Sequence, residues 1–187
     1  MRPPQWGNYV AYADWDLLGF AVLNRSGLIP LSFYHAAQAL EKYLKALMFS
    51  ITEQDVRTQT KEQKIHRLDG LAKMCADRYP YYGQSNTLAT LKRLSKLDQT
   101  TRYPYVTEET GAVFGSSGDL PVMWDLYKRL RNDIPITRDD YPLGVLLRGH
   151  THHHPQHPMG SVYMHFYGDC ANALRSLYPN ANELVRW

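Results

Sequence analysis

The sequence has few cysteines, no long apolar run and no strong charge, and each of these absences excludes a class of protein. Its two cysteines, Cys75 and Cys170, are far apart and in no metal-binding spacing, so neither a disulfide framework nor a cysteine-based zinc site is indicated. No segment reaches the ~18 consecutive apolar residues of a membrane span, and the N-terminus has no apolar run of signal-peptide length. We therefore expect a cytoplasmic protein with no membrane contact.

The charge balance is mild. The net charge is +3, and charged residues make up 21% of the chain against 44% hydrophobic residues. That composition is typical of an ordinary globular domain, and it permits contact with nucleic acid without arguing for it. A chain of 187 residues is long enough to bury a core without disulfides or metals, so we expect a single domain over residues 1–187.

Apolar residues recur at helical spacing along the first half of the chain. The pattern predicts a first helix over Tyr9–Asn24 and a second, the clearest in the chain, from an N-cap at Ser32 to about Ile51. A third helix is predicted from about His66, which is itself a candidate cap. The inward-facing residues of this third helix are predicted to be Ile65, Leu68, Leu71, Ala72 and Cys75.

The second half of the chain contains helices separated by longer irregular segments. A fourth helix is predicted to carry Leu88, Leu91, Leu94 and Leu97. After an irregular segment over 99–118, Asp119 is the predicted cap of a fifth helix that Pro135 stops. A second irregular segment over 136–160 precedes a C-terminal helix over 161–178. Because no alternating β-branched run is present, the predicted fold is all-α: an antiparallel up-and-down bundle of four to five core helices plus a C-terminal helix.

The second helix, SFYHAAQALEKYLKALMFS, resembles the signature helix of the HEPN family, which carries a similar aromatic, Gln-Ala, Glu-Lys and Lys-Ala-Leu pattern. KIHRLDGLAKMC is similar to the start of that family's next helix, and TTRYPY to an Arg-Tyr-Pro segment after its fourth helix in one branch. The resemblance covers about residues 9–134 and is strongest at 32–50, 64–75 and 100–105. It implies a small antiparallel bundle, frequent homodimers, and functions that include toxin-like ribonucleases, nucleotide-associated modules and partners of minimal nucleotidyltransferases.

The ribonuclease members of that family use an Arg, commonly followed by a polar residue such as Asn, and a His after four to six further residues. The His acts as general acid or base while the Arg stabilises charge on the phosphate. LRNDIPI places Arg131 and Asn132 at the start of such a motif, but Ile136 stands where the His falls at the shortest spacing. Because an isoleucine cannot transfer a proton, the usual metal-independent RNA cleavage is expected to be absent or very weak. The structural alternative is that Arg131 is simply a cation near a helix C-terminus, where the helix dipole favours it.

The stretch LRGHTHHHPQHP, residues 147–158, contains five His residues. It formally matches the same motif, because Arg148 precedes His153 by four intervening residues and His154 by five, and it can also supply the His that LRNDIPI lacks. A metal site in this stretch would use His150, His152, His154 and His157. Imidazole is a good ligand, but no Cys or carboxylate is interleaved here, and the prolines make adjacent rings diverge. We therefore expect a connecting loop, with no metal and no cofactor.

Four residues are candidates for ligand contact. Lys42 and Lys45 lie on the polar side of the second helix, where they either bind phosphate or form a solvated face in which Glu41 pairs with Lys45. In TTRYPY, Arg102 and Tyr103 combine a cation with an aromatic ring, which suits a phosphate and a base. The alternative for that segment is a helix-ending turn in which the tyrosines pack on the bundle.

Three hypotheses of function follow from these observations. The first is a HEPN-type helical module, non-catalytic or weakly active, that forms a homodimer and contacts a nucleotide, RNA or a nucleotidyltransferase-like partner. The second is a metal-independent endoribonuclease toxin that uses Arg131 and Asn132 with a His from the 150–154 loop. The third is a purely structural protein-interaction module. An adjacent nucleotidyltransferase gene would favour a paired toxin and antitoxin role.

Overall fold

The bundle consists of antiparallel helices around one apolar core. The computed structural model describes residues 6–53, 66–102, 119–135, 170 and 172–176. Within these ranges no strand occurs, which confirms the predicted all-α class. The described elements are α1 (Gly7–Arg25), α2 (Ile29–Thr52), α3 (Leu68–Ala76), a short 3-10 helix (Pro80–Gly83), α4 (Ser85–Arg102) and α5 (Asp119–Asp133).

α1 and α2 form a hairpin that supplies much of the core. The turn between them contains Gly27, whose φ of 78° is a left-handed conformation that glycine adopts readily. The N–H of Leu28 donates to the carbonyl of Leu23 at 2.9 Å and closes the turn. The facing apolar stripes of the two helices are fully buried and include Val10, Ala13, Leu17, Leu40, Leu44 and Leu47.

α2 begins a turn earlier than the sequence pattern predicts. Ser32, the predicted N-cap, lies inside the helix, where its Oγ donates to the carbonyl of Ile29 at 2.7 Å. Pro30 occupies the first turn of the helix, where a missing N–H costs no hydrogen bond. The N-cap prediction was therefore wrong, because proline at the first turn starts this helix without any side-chain cap.

α3 also begins without a side-chain cap. Its N-cap residue is Arg67, and the predicted cap His66 instead turns to Glu41 of α2, with its Nδ1 3.0 Å from Oε1. The inward face of α3 was predicted correctly at the four positions the structure describes, since all are buried: Leu68, Leu71, Ala72 and Cys75. Ile65 lies outside the described residues.

α4 and α5 differ in how well the sequence placed them. α4 continues to Arg102, so the predicted irregular segment over 99–118 begins too early, while residues 103–118 lie outside the described residues. α5 ends before Pro135, as predicted, while Asp119, the predicted cap, is the first residue of the helix. The buried carboxylate of Asp119 accepts hydrogen bonds from Arg93 at 3.1 Å and from Thr90 at 3.0 Å, which ties the start of α5 to α4.

α5 packs across the α1–α2 hairpin through two aromatic residues. The ring of Trp124 lies 5.7 Å from that of Phe20 in α1. The hydroxyl of Tyr127, fully buried, donates to the carbonyl of Ala36 in α2 at 2.8 Å. This docking points the next inward turn of α5, which carries Arg131, into the space between α1 and α2.

The predicted C-terminal helix is described in part. Cys170 and residues 172–176 are helical, and Cys170, Ala173 and Leu174 are buried in the same core cluster as α1 to α5. The rest of that helix and the predicted loop over 136–160 lie outside the described residues, and the single-domain extent over 1–187 stays a prediction. In the ranges that are described, none of the helices has the length and apolarity that crossing a bilayer requires.

The thiol of Cys75 is expected to be unreactive in the native protein. Its side chain is fully buried and donates to the carbonyl of Leu44, and burial together with the charge of Asp133 raises the pKa of the thiol to about 12. Because the thiolate is the reactive form, we expect no native reaction with Ellman's reagent at about pH 8. Cys170 is buried too, so both thiols should react only after unfolding in guanidinium. Fast reaction of a native thiol that Cys75→Ser removes would contradict this placement.

Candidate functional site

The arginine of the ribonuclease-like motif lies in the core. Arg131 occupies the last turn of α5, and its side chain is 0% exposed. Its guanidinium forms an ion pair with the carboxylate of Asp14 in α1, and its Nη1 lies 3.1 Å from the hydroxyl of Tyr43 in α2. That hydroxyl donates to the same carboxylate. Three helices therefore meet at one buried polar group, which we call the core triad: Asp14, Tyr43 and Arg131.

The charges of the core triad balance within the group. Burial and then the charge of Asp14 raise the pKa of Tyr43 well above its ordinary value, so Tyr43 is a neutral phenol. Burial lowers the pKa of Arg131, but the Asp14 charge and the contacts with Tyr43 outweigh it, and the net pKa is raised. Arg131 therefore stays cationic, and the carboxylate of Asp14 supplies the counter-ion that a buried charge requires.

This arrangement bears on both interpretations of Arg131. The residue lies in the last helical turn, as the dipole interpretation expects, but it is a buried ion-pair partner rather than an exposed end charge. The motif interpretation places Arg131 against an RNA phosphate, which a fully enclosed guanidinium does not reach. The neighbouring Asn132 is exposed.

The histidines proposed as catalytic or metal-binding residues lie outside the described residues: His150, His152, His153, His154 and His157. Ile136 lies outside them too. Among the residues that the structure does describe, no group of three or more His, Cys, Asp or Glu side chains is placed to hold a metal ion.

A second polar group lies at the surface between α1 and α2. Asp16 of α1 holds two side chains of α2: its Oδ1 is 2.9 Å from Nδ1 of His35, and its Oδ2 is 2.5 Å from Nζ of Lys42. The ammonium of Lys42 also donates to Oε1 of Gln38 at 3.3 Å. We call these four residues the α1–α2 cluster. Its three α2 members lie three, four and seven residues apart, which places them on one helix face.

Gly19 allows the imidazole of His35 to lie close against α1. A Cβ at this position would stand 3.3 Å from Nδ1 of His35, tighter than most contacts of real Cβ atoms. The ring of Tyr34 packs edge-on against the imidazole, with centroids 5.3 Å apart. With Nδ1 held by Asp16, the ring has a defined orientation, although 30% of the His35 side chain remains exposed.

Lys45 does not lie on a solvated face, contrary to the sequence interpretation. Glu41 and Lys45 do form the predicted pair, with Nζ 2.6 Å from Oε1, but their side chains are only 8% and 10% exposed. His66, just before α3, lies 3.0 Å from the same Oε1. The spacing in α2 could not show the burial of the pair, because burial depends on the segments that pack against α2. Of the two candidate lysines, only Lys42 keeps appreciable exposure, at 26%.

The other two ligand candidates are at the end of α4. Arg102 is the last residue of that helix, so a helix does end at TTRYPY, as the turn interpretation expects. Nothing further is described of its side chain, and Tyr103 lies outside the described residues.

Sequence reasoning missed the acidic partners in α1. Asp14 is spaced four residues from Val10 and three from Leu17, so it stands on the buried stripe of its helix. An acidic residue at such a position is rarely buried unless it is paired, and this was the available indication of a partner. Asp16 and His35 carried no such indication, because their contact depends on how α1 packs on α2.

A family model described as the HEPN domain matches residues 9–120. The match includes α1 to α4, and with them Asp14, the α1–α2 cluster and Glu41, whereas Arg131 lies beyond it. Neither the curated proteins nor the solved structures contain a match to this chain.

Proposed function

The chain belongs to the HEPN domain family, and from that premise we propose that it is a cytoplasmic, non-catalytic helical module that contacts a nucleotide or RNA. The observation that carries the proposal is the burial of Arg131. A guanidinium that stabilises a phosphate has to touch it, whereas this one is enclosed by three helices and balanced by Asp14. Ile136, in place of a proton-transferring His, supports the same conclusion.

The proposed ligand contacts start from Lys42. Its ammonium belongs to the partly exposed α1–α2 cluster, while the side chain of Lys45 is only 10% exposed and paired with Glu41, so Lys42 is the better placed of the two lysines. Arg102 and Tyr103 remain proposed contacts because they combine a cation with an aromatic ring, which suits a phosphate and a base.

The proposal predicts RNA binding without RNA cleavage. Purified protein should bind a labelled single-stranded RNA or a labelled ATP in an anisotropy titration. The same RNA should stay intact during long incubation in EDTA, because Ile136 stands where the motif requires a proton-transferring His. Asn132→Ala should change neither result, since this exposed neighbour of Arg131 leaves the core triad intact.

The alternative function, a metal-independent endoribonuclease, makes the opposite prediction. It requires cleavage that persists in EDTA and that His153→Ala or His154→Ala abolishes without loss of folding. That result would contradict the non-catalytic proposal. Absence of any binding to RNA or nucleotide would contradict the proposed ligand contact and favour the purely structural interaction module.

We also propose that the module forms a homodimer and that a nucleotidyltransferase-like protein, as in a toxin–antitoxin pair, is its further partner. The support for dimerisation is an apolar patch at the turn between α1 and α2, where Leu28, Ile29 and Leu31 are 52%, 41% and 44% exposed. Sedimentation should give twice the chain mass of 21.6 kDa, and Leu31→Lys should shift it toward the monomer. A monomer at micromolar concentration contradicts the dimer.

A further inference from the structure

We propose that Arg129, held over the ring of Tyr81 at the surface of α5, binds a phosphate of single-stranded RNA through its terminal nitrogens. This inference rests on the proposed function and deepens it by assigning a further contact. Arg129 precedes the enclosed Arg131 by two positions, a rotation of about 200° around the helix. It therefore points away from the core, and its side chain is 46% exposed. We call Tyr81, Asp125 and Arg129 the α5 surface site.

The guanidinium of Arg129 is held on two sides. Its Nε donates to Oδ2 of Asp125, one helical turn earlier, at 2.9 Å. Its Cζ lies over the ring of Tyr81, 3.9 Å from the centroid, which is a cation–π contact. Asp125 and Tyr81 are thus positioning residues. Because they restrain a long side chain before a ligand arrives, less conformational entropy is lost when the ligand binds.

The ring of Tyr81 is itself held in place. It belongs to the short 3-10 helix and packs edge-on against the ring of Tyr82, with centroids 5.7 Å apart. Tyr82 is fully buried, and its hydroxyl donates to Oδ2 of Asp133 in α5 at 2.7 Å. Burial, followed by the neighbouring Asp125, raises the pKa of Tyr81 above its ordinary value. The ring is therefore a neutral phenol, which supports the guanidinium without cancelling its charge.

The contact with Asp125 leaves the terminal nitrogens of Arg129 available. A guanidinium has five N–H donors, and Nε carries only one of them. Beyond its contacts with Asp125 and Tyr81, Arg129 has no hydrogen bond to another described residue. Two adjacent oxygens of a phosphate match the planar fork of such a guanidinium, which binds them in two parallel hydrogen bonds.

Two other surface arginines have committed these donors. Arg67 donates through Nε and Nη2 to the two oxygens of Asp69, at 3.3 Å and 3.0 Å. Arg93 likewise donates through both Nε and Nη2 to Asp119. Among the described residues, neither of these two guanidinium groups lies over an aromatic ring. Arg129 differs from both, because its carboxylate partner accepts from Nε alone and a ring supports it.

The openness of the α5 surface site favours an RNA strand over a free nucleotide. The side chains of Asp125 and Arg129 are 43% and 46% exposed, so a ligand reaches the fork without any rearrangement of the bundle. Small molecules are bound in concave pockets that cover most of their surface. A strand can instead place one phosphate on an open surface, because its neighbouring nucleotides make further contacts elsewhere on the protein.

The test is an anisotropy titration of a fluorescein-labelled single-stranded RNA with the full chain. Arg129→Gln should weaken binding roughly tenfold, through the loss of hydrogen bonds to a charged group. Arg129→Lys keeps the charge but not the planar fork, and it should bind nearly as weakly as Arg129→Gln. Arg67→Gln is the matched control. It removes the same charge from a surface arginine whose donors are committed, and it should leave RNA binding unchanged.

Two further measurements separate a phosphate contact from a structural role. The slope of log affinity against log salt concentration should become shallower by about 0.7 in Arg129→Gln, the change expected for one phosphate contact on a single strand, and stay the same in Arg67→Gln. Tyr81→Leu removes the supporting ring and should weaken binding about threefold, whereas Tyr81→Phe keeps the ring and should bind as wild type. Circular dichroism checks that each variant is folded.

The outcomes distinguish the inference from the function on which it rests. If wild type binds RNA but Arg129→Gln binds as tightly as Arg67→Gln, the inference is overturned and the proposed function stands. Full binding by Arg129→Lys overturns the two-bond contact. If wild type binds neither RNA nor ATP, the proposed function fails and the inference fails with it. Displacement of the probe by unlabelled RNA well below the concentration of ATP needed supports an RNA phosphate, and the reverse order overturns it.

Discussion

Arg131→Ala is expected to lower the free energy of unfolding by about 3–5 kcal/mol, because it leaves the carboxylate of Asp14 buried without its counter-ion. The hydroxyl of Tyr43 still donates to that carboxylate, but a neutral donor does not balance the charge. Urea denaturation followed by circular dichroism measures the change. The expected loss is large beside the roughly 5–15 kcal/mol that stabilises a typical domain.

Two variants control for this interpretation. Asn132→Ala, at the exposed neighbouring position, should change stability by less than about 0.5 kcal/mol. The double variant Asp14→Leu with Arg131→Met removes both charges and should recover much of the loss, as apolar replacement of buried ion pairs often does. Equal stability of Arg131→Ala and Asn132→Ala would show that the guanidinium is not in the core.

The core triad changes what a mutation in the ribonuclease-like motif can show. A variant of Arg131 that loses RNA binding or any cleavage has also lost the ion pair that joins α1 and α5. Unfolding alone would explain loss of function in such a variant, so its stability has to be measured first. The exposed positions of the α1–α2 cluster do not carry this ambiguity to the same degree.

Glu41→Ala is the second large expected effect, with a loss of about 3 kcal/mol in the free energy of unfolding. The carboxylate of Glu41 is the partner of Lys45, whose side chain is only 10% exposed, so its removal leaves an ammonium nearly enclosed. The same change also releases His66 and, with it, one of the contacts that hold the start of α3 on α2. Urea denaturation again gives the measurement.

A pair of the same spacing on α5 provides the control. Asp125 and Arg129 are also four residues apart, but their side chains are 43% and 46% exposed. Asp125→Ala should cost less than about 1 kcal/mol, the range measured for exposed ion pairs. If Glu41→Ala costs no more than Asp125→Ala, then the Glu41–Lys45 pair is not enclosed as described.

The apolar periodicity of the sequence was sufficient to predict the inward faces of the helices. In α3 the predicted inward residues that the structure describes are all buried, because a 3.6-residue repeat allows only one face to meet a core. In α4 the predicted Leu91 and Leu94 are buried, while Leu88 and Leu97 are partly buried. Helix ends were predicted less well. Ser32 and Pro30 show why: both residues favour the start of a helix, and one at the first turn looks the same in sequence as one just outside it.

The polar residues were predicted least well, and the reason is physical. Glu41 and Lys45 have the spacing of an exposed helix pair, and the sequence of α2 alone does not indicate that both side chains will be nearly enclosed. Asp14 and Arg131 are 117 positions apart, so their ion pair exists only once α1 and α5 have packed together. Side-chain burial depends on such packing, and the spacing of residues within one helix does not reveal it.

By itself, the sequence determined that this chain is an all-α member of the HEPN family, because helical periodicity and the pattern of α2 are local properties of the chain. Only the tertiary structure decided which of its charged residues are enclosed and which stay at the surface. Packing of the helices enclosed Arg131 with Asp14 and Lys45 with Glu41. It left His35 and Lys42 at the surface beside Asp16. The cost of burying an unpaired charge is consistent with this division, since Arg131 and Lys45 each have a carboxylate as an ion-pair partner.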